Sequence, residues 1–192
     1  MAILRDLVSS ILAALLLAGT LSLTATGATA EPAPSKEYQV KAVFLFNFAQ
    51  FVEWPPTAFP EPGAPISIGV LGDDPFGTAL EETVRGETVG NRKITVQRSH
   101  KVEDLKNCQL LFISKSEKGR TAEILSSLTP GPVLTVSEVE SFAHQGGVIN
   151  FYLEGNKVRF EINPAAARRQ RLKLNSQLLS LGKIVTPAKG SQ

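Results

Sequence analysis

Apolar positions recur along this chain in two different periods, and the change between them falls in the Pro-rich stretch Thr57–Pro65. Before it the period is helical. A helix is expected to open at Ser35 or Lys36 and run to Trp54, where Pro55-Pro56 stops it. Phe44, Phe48 and Phe51 share one face at i, i+4 and i+7, and Leu45, Phe46 and Val52 widen the apolar arc. Asn47, Gln50 and Glu53 leave only a narrow polar stripe. A helix that is apolar nearly all round is either deeply buried or half covered by a partner. Both readings stay open, and in the second Phe44, Phe48 and Phe51 are the candidate dimer or partner surface.

After the Pro-rich stretch, short apolar runs alternate with helical patterns. Ile66–Leu71, Lys93–Gln97, Gln109–Ile113 and Val133–Val136 read as strands. Phe76–Val84, Lys101–Lys106, Lys118–Leu128 and Glu138–Gln145 read as the helices that follow them, with Asp74 as the N-cap of the first and Pro75 at its first position. Val148–Leu153 and Lys157–Ile162 flank Glu154-Gly155-Asn156, a hairpin signal. Asn163-Pro164 then caps a final helix reaching about Val185. The expected fold is therefore α/β, a three-layer sandwich around a mostly parallel sheet of about six strands. An antiparallel hairpin lies at its edge, and long helices sit at both ends.

The first thirty residues follow neither pattern. A head carrying Arg5 and Asp6, an apolar run Leu7–Ala18 and the small-residue exit Ala28-Thr29-Ala30 together predict a cleaved secretory signal peptide over residues 1–30. The apolar run is shorter than the ~20 residues a membrane span needs. What remains, 31–192, is expected to be a single exported domain with its core at about 38–185. Its composition is globular, 43% hydrophobic and 20% charged. A net charge of +2 is too small to argue for nucleic acid. Cys108, the only cysteine, cannot close a disulfide within the chain. It reads as a small buried residue entering a strand, with an intermolecular bridge as the alternative.

Catalytic patterns are weak. Gly72-Asp73-Asp74 sits where open α/β sheets bind ligands. A phosphoacceptor site would also need an Asp after the third strand and a Lys after the fifth, where Ser114 and Glu154 stand. Gly69–Gly72 lacks the third glycine of a dinucleotide loop, and Lys118–Thr121 lacks the spaced glycines of a P-loop. His100 and His144 have no sequence neighbours suited to acid–base or metal work. No catalytic residue, metal ligand or cofactor is therefore assigned.

The densest charge is Arg168, Arg169, Arg171 and Lys173 in the first half of the expected last helix. Arg168 and Arg171 would share one face, Arg169 and Lys173 another. Cations there oppose the positive end of the helix dipole, which points to a use other than helix stability. The four are candidates for binding an acidic partner or a small anionic ligand, against the plainer reading of a solvated face.

Several blocks together resemble the YfiR family of bacterial periplasmic proteins. They are Glu37–Pro55, Val70–Gly77, Cys108–Ile113, Val133–Ser137, Phe142–Ile149, Val158–Asn163 and Leu172–Leu179, in the family's order and spanning about Tyr38 to Val185. The resemblance implies a non-catalytic periplasmic regulator that tends to dimerise. Its expected partner is the periplasmic part of a membrane-bound diguanylate cyclase or of a sensor histidine kinase. The namesake group uses several cysteines in disulfides, whereas this chain has Cys108 alone. The alternative is a free periplasmic small-molecule-binding protein without a signalling partner.

Overall fold

The computed structural model describes residues 35–186, so the expected signal peptide lies outside the described residues. Helix α1, Lys36–Phe51, comes first along the chain and is followed directly by the two-residue strand β1, Val52–Glu53. Then come β2 (Ile66–Leu71), α2 (Ala79–Val84), β3 (Thr88–Val89), β4 (Arg92–Ser99), β5 (Leu110–Ile113), α3 (Thr121–Ser127) and β6 (Leu134–Ser137). The chain closes with β7 (Ile149–Glu154), β8 (Lys157–Ile162), α4 (Pro164–Arg169), β9 (Lys173–Leu174), α5 (Ser176–Leu181) and β10 (Lys183–Ile184).

One sheet of eight strands runs in the order β10-β8-β7-β6-β5-β2-β4-β3. It is mainly parallel, with antiparallel pairs only at β7–β8 and β3–β4. A second, small sheet pairs β1 with β9, Val52 opposite Leu174 and Glu53 opposite Lys173. Side chains on a strand alternate between faces, and the central strands are buried along their whole length. Ile68, Val70, Leu110, Phe112, Leu134 and Val136 therefore feed a large core under α1, α2, α4 and α5. Leu71, Leu111 and Ile113 feed a second core on the other face, with Leu105, Ile124 and Phe142.

Several expectations are corrected. The sheet has eight strands, and the β7–β8 hairpin is not at its edge, because β10 pairs in parallel with β8 beyond it. A further short strand, β3, folds back on β4. The pair of long terminal helices does not form. α1 stops at Phe51, three residues before Trp54, when Val52 enters the small sheet. The expected C-terminal helix is two helices of six residues separated by β9. It breaks because Arg171 takes a left-handed φ of +57°, reversing the chain so that Leu172 can enter the core. The helix expected over Glu138–Gln145 is a series of turns, with Ser141 at φ +61°. Phe76–Val84 is helical only from Ala79. Asp74 instead accepts from the Phe76 N–H at 2.8 Å and pairs with Arg98 at 2.6 Å.

Candidate functional site

The topology switches direction between β2 and β5, where ligands of open α/β sheets usually sit. Here the chain fills that crevice itself. The Asp73 N–H donates to Ser116 Oγ at 3.0 Å, and Ser116 and the buried Glu117 press so closely on Gly72 that a Cβ there has no room. Gly72 also holds a φ of +89°, which favours glycine. The Gly72-Asp73-Asp74 turn is therefore a packing element.

One step along the sheet, the carboxyl end of β6 carries a buried charge cluster. Glu138 follows Ser137 directly, and its side chain is 4% exposed. Ser137 Oγ donates to Ile113 O at 2.7 Å and accepts from the Val139 N–H at 3.0 Å, so the residues on either side of Glu138 are fixed. Asn150 on β7 adds Nδ2 contacts to Ser137 O and Val139 O. Lys41, 2% exposed, reaches Glu138 Oε2 and Glu37 Oε1 with its ammonium. Tyr38 donates its hydroxyl to Glu138 Oε1 at 2.9 Å, and the Lys41 ammonium lies 4.6 Å from the Tyr38 ring centroid. The Tyr38 hydroxyl has its pKa raised well above the usual phenol value. Burial is the main cause, then the hydrogen bond to Glu138 and the nearby carboxylate charges. Lys115, at the carboxyl end of β5, approaches Glu138 Oε2 at 3.8 Å from solvent.

A cavity of about 530 Å³ opens beside this cluster, lined by Lys41, Lys115, Glu138, His144, Glu161 and Lys183 among others. His144 is tethered at its rim, with Nδ1 3.2 Å from Thr186 O and Nε2 3.7 Å from Glu161. Lys183 donates to Glu161 at 2.9 Å. Among the described residues, no three His, Cys, Asp or Glu side chains are grouped to hold a metal ion. Cys108 is buried and unpaired, and burial pushes its thiol up to about 11, away from nucleophilic use at neutral pH.

The residues singled out by sequence are placed elsewhere. Phe48 is 1% exposed and packs with Phe44, Phe151 and Phe160 at centroid distances of 5.0 to 5.9 Å. Phe44 and Phe51 are half-buried against the same core. Arg168 and Arg169 end α4, Arg171 sits in the following turn, and Lys173 lies in β9 near Glu53 at 3.5 Å. All four are exposed, but they do not share helix faces. Arg168 and Arg169 occupy the last turn, where the helix dipole favours cations, so the opposed-dipole argument does not apply. Lys41 does not stand out in the sequence as a site residue, although it shares the i, i+4, i+7 face of Leu45 and Phe48, the face that is buried.

Comparison with known proteins gives one family. The model described as YfiR/HmsC-like matches residues 38–183, nearly all of the described chain. No curated protein matches. A solved structure of a conserved domain protein from Vibrio cholerae O1 biovar El Tor is similar at 10% identity and a TM-score of 0.48. The match covers 63% of this chain and 54% of that one, so the chain spans about half the length of that structure.

Proposed function

The chain belongs to the YfiR/HmsC-like family, and on that premise we propose that it is a non-catalytic periplasmic regulator. It is exported behind residues 1–30 and acts by binding the periplasmic part of a membrane signalling enzyme, a diguanylate cyclase or a sensor histidine kinase. The family match across residues 38–183 carries this reading. The buried cluster supports it, because its groups are already engaged with one another: Lys41 by Glu37 and Glu138, and Glu138 by Tyr38 as well. A carboxylate held that way fixes a shape and is poorly placed to move protons for a substrate. The exposed cations Arg168, Arg169, Arg171 and Lys173 are offered as a further contact for an acidic partner or a small anionic ligand, and a homodimer as the assembled form.

The test is a gene deletion with cyclic-di-GMP measured in the cell. Loss of the gene should shift the level several-fold, and the full chain should restore it where a version lacking residues 1–30 does not. An unchanged level in the deletion would remove the cyclase reading. The second reading, a free periplasmic binding protein, is favoured by the 530 Å³ cavity with its mixed charges.

A further inference from the structure

The aromatic stack under α1 does not end where the helix does. On β7 and β8, Phe151 faces Phe160 and Leu153 faces Val158 in register. Positions two apart on a strand share a face, so all four belong to the side that α1 covers. Phe44 and Phe48 lie over Phe151 and Phe160. The hairpin then runs on past the start of the helix. Leu153 is left 53% exposed, and Val40 on the first turns of α1 is 38% exposed.

Between them lies a groove of about 670 Å³, with Val40, Phe44, Leu153 and Val158 as its apolar lining. Val43, 48% exposed, extends the apolar strip along α1. The exposed large apolar residues of this helix are thus its valines, while its phenylalanines are buried or half-buried.

The rim of the groove is basic. Lys36 and Lys157 line it, both exposed and neither with a carboxylate partner among the described residues. Arg159 also lines it, paired with the exposed Glu154 at 3.4 Å. Glu37, the one acidic lining residue, is held by the ammonium of Lys41. Lys36 further stands at the first residue of a 16-residue helix, where the dipole adds positive potential. A second copy of this chain docked by two-fold symmetry would set these cations against their own counterparts.

We propose that this groove binds a peptide segment of a protein partner in which large apolar side chains are flanked by carboxylates. The proposal rests on the regulator reading in so far as the occupant is a protein. The apolar side chains enter between Val40 and Leu153, and the flanking acids meet Lys36 and Lys157. Apolar burial supplies the affinity, and the charges select the partner and set its orientation.

The test uses the whole mature chain and a capped model peptide, Asp-Glu-Leu-Leu-Phe-Glu-Asp, titrated by amide chemical-shift mapping. A counterpart with Lys in place of each acid is the control. Shifts should concentrate at Val40, Leu153 and Lys157, and the acidic peptide should bind about tenfold more tightly than the basic one at low salt. Lys157→Glu should erase that preference, and Leu153→Asp should weaken both peptides while leaving the melting temperature within a degree or two. No localised shift, or equal binding of the two peptides, overturns the proposal. So does concentration-dependent self-association that Leu153→Asp abolishes, since a second copy would then be the occupant. In cells, if the deletion shifts cyclic-di-GMP and the Leu153→Asp chain restores it fully, the groove fails and the regulator reading stands. If the deletion shifts nothing, the cyclase form of the regulator reading fails on its own account, and the peptide titration still decides the groove.

Discussion

Lys41 and Glu138 come from separate elements and meet in the interior, whereas Arg168, Arg169, Arg171 and Lys173 are crowded together in sequence and all face solvent. The difference shows that density of charge along a chain says little about where charge matters to a fold. Crowded cations repel one another and keep their hydration, so they settle on a helix end, a surface turn and a two-residue strand. An isolated lysine on an apolar helix face is carried inward by Leu45 and Phe48 and must then find a carboxylate. Glu138 supplies it, fixed by a loop whose neighbouring groups are hydrogen-bonded to the sheet. The buried pair is costly to form and costly to break, while the exposed cluster is cheap on both counts.

The sharpest break of that contrast is Lys41→Met. It leaves the buried Glu138 with only the more distant ammonium of Lys115 and should cost about 3–5 kcal/mol in a denaturant titration. The double variant Lys41→Met with Glu138→Leu should recover most of that loss, because the uncompensated charge has gone. If the double variant is as unstable as the single one, packing rather than charge governs the site.

A smaller effect is expected at Tyr38, whose hydroxyl donates to Glu138. Tyr38→Phe should cost about 1.5 kcal/mol. Because the folded-state pKa of this phenol is raised, the stabilisation it gives is full below the ordinary value. It falls away as pH climbs from there toward the folded value. Denaturant midpoints measured from neutral to alkaline pH should therefore decline less steeply in the Phe variant.

In the exposed region the changes should be slight, and one has the opposite sign. Arg171 holds a φ of +57°, so Arg171→Gly relieves backbone strain and should raise stability by roughly 0.5–1 kcal/mol. Smaller still, Arg168→Glu with Arg169→Glu puts anions at a helix C-terminus and should lower stability by about 0.5 kcal/mol. A loss above 2 kcal/mol in that double variant would show that the cluster is tied into the fold, and the comparison between the two regions would collapse.

Much of the sheet could be read from the chain alone. Ile66–Leu71 and Lys157–Ile162 form strands with the boundaries that their apolar pattern and the Gly155-Asn156 turn predict. The parallel centre follows from strands alternating with helical patterns. The family could be read too, because its blocks are local and keep their order over residues 38–183. What a local pattern could not reveal lies mostly after Asn163 and around Glu138. Leu174 and Leu178 fit a helical spacing, yet they and Leu172 reach the core only because Arg171 reverses the chain and β9 pairs with β1, more than a hundred residues earlier. Propensity governs a segment when its neighbours are indifferent to its conformation. Here Val52 and Leu174 gain burial and backbone hydrogen bonds by pairing, and that gain outweighs continuing either helix. The sequence by itself determined the alternating core, the over-apolar first helix and the family. Only tertiary structure decided which face of that helix is interior, and so that Lys41 is buried with Leu45 and Phe48, and that Glu138 comes to meet it. A buried charge is fixed by its partner, and partners so far apart in sequence are brought together by the packing of the whole domain.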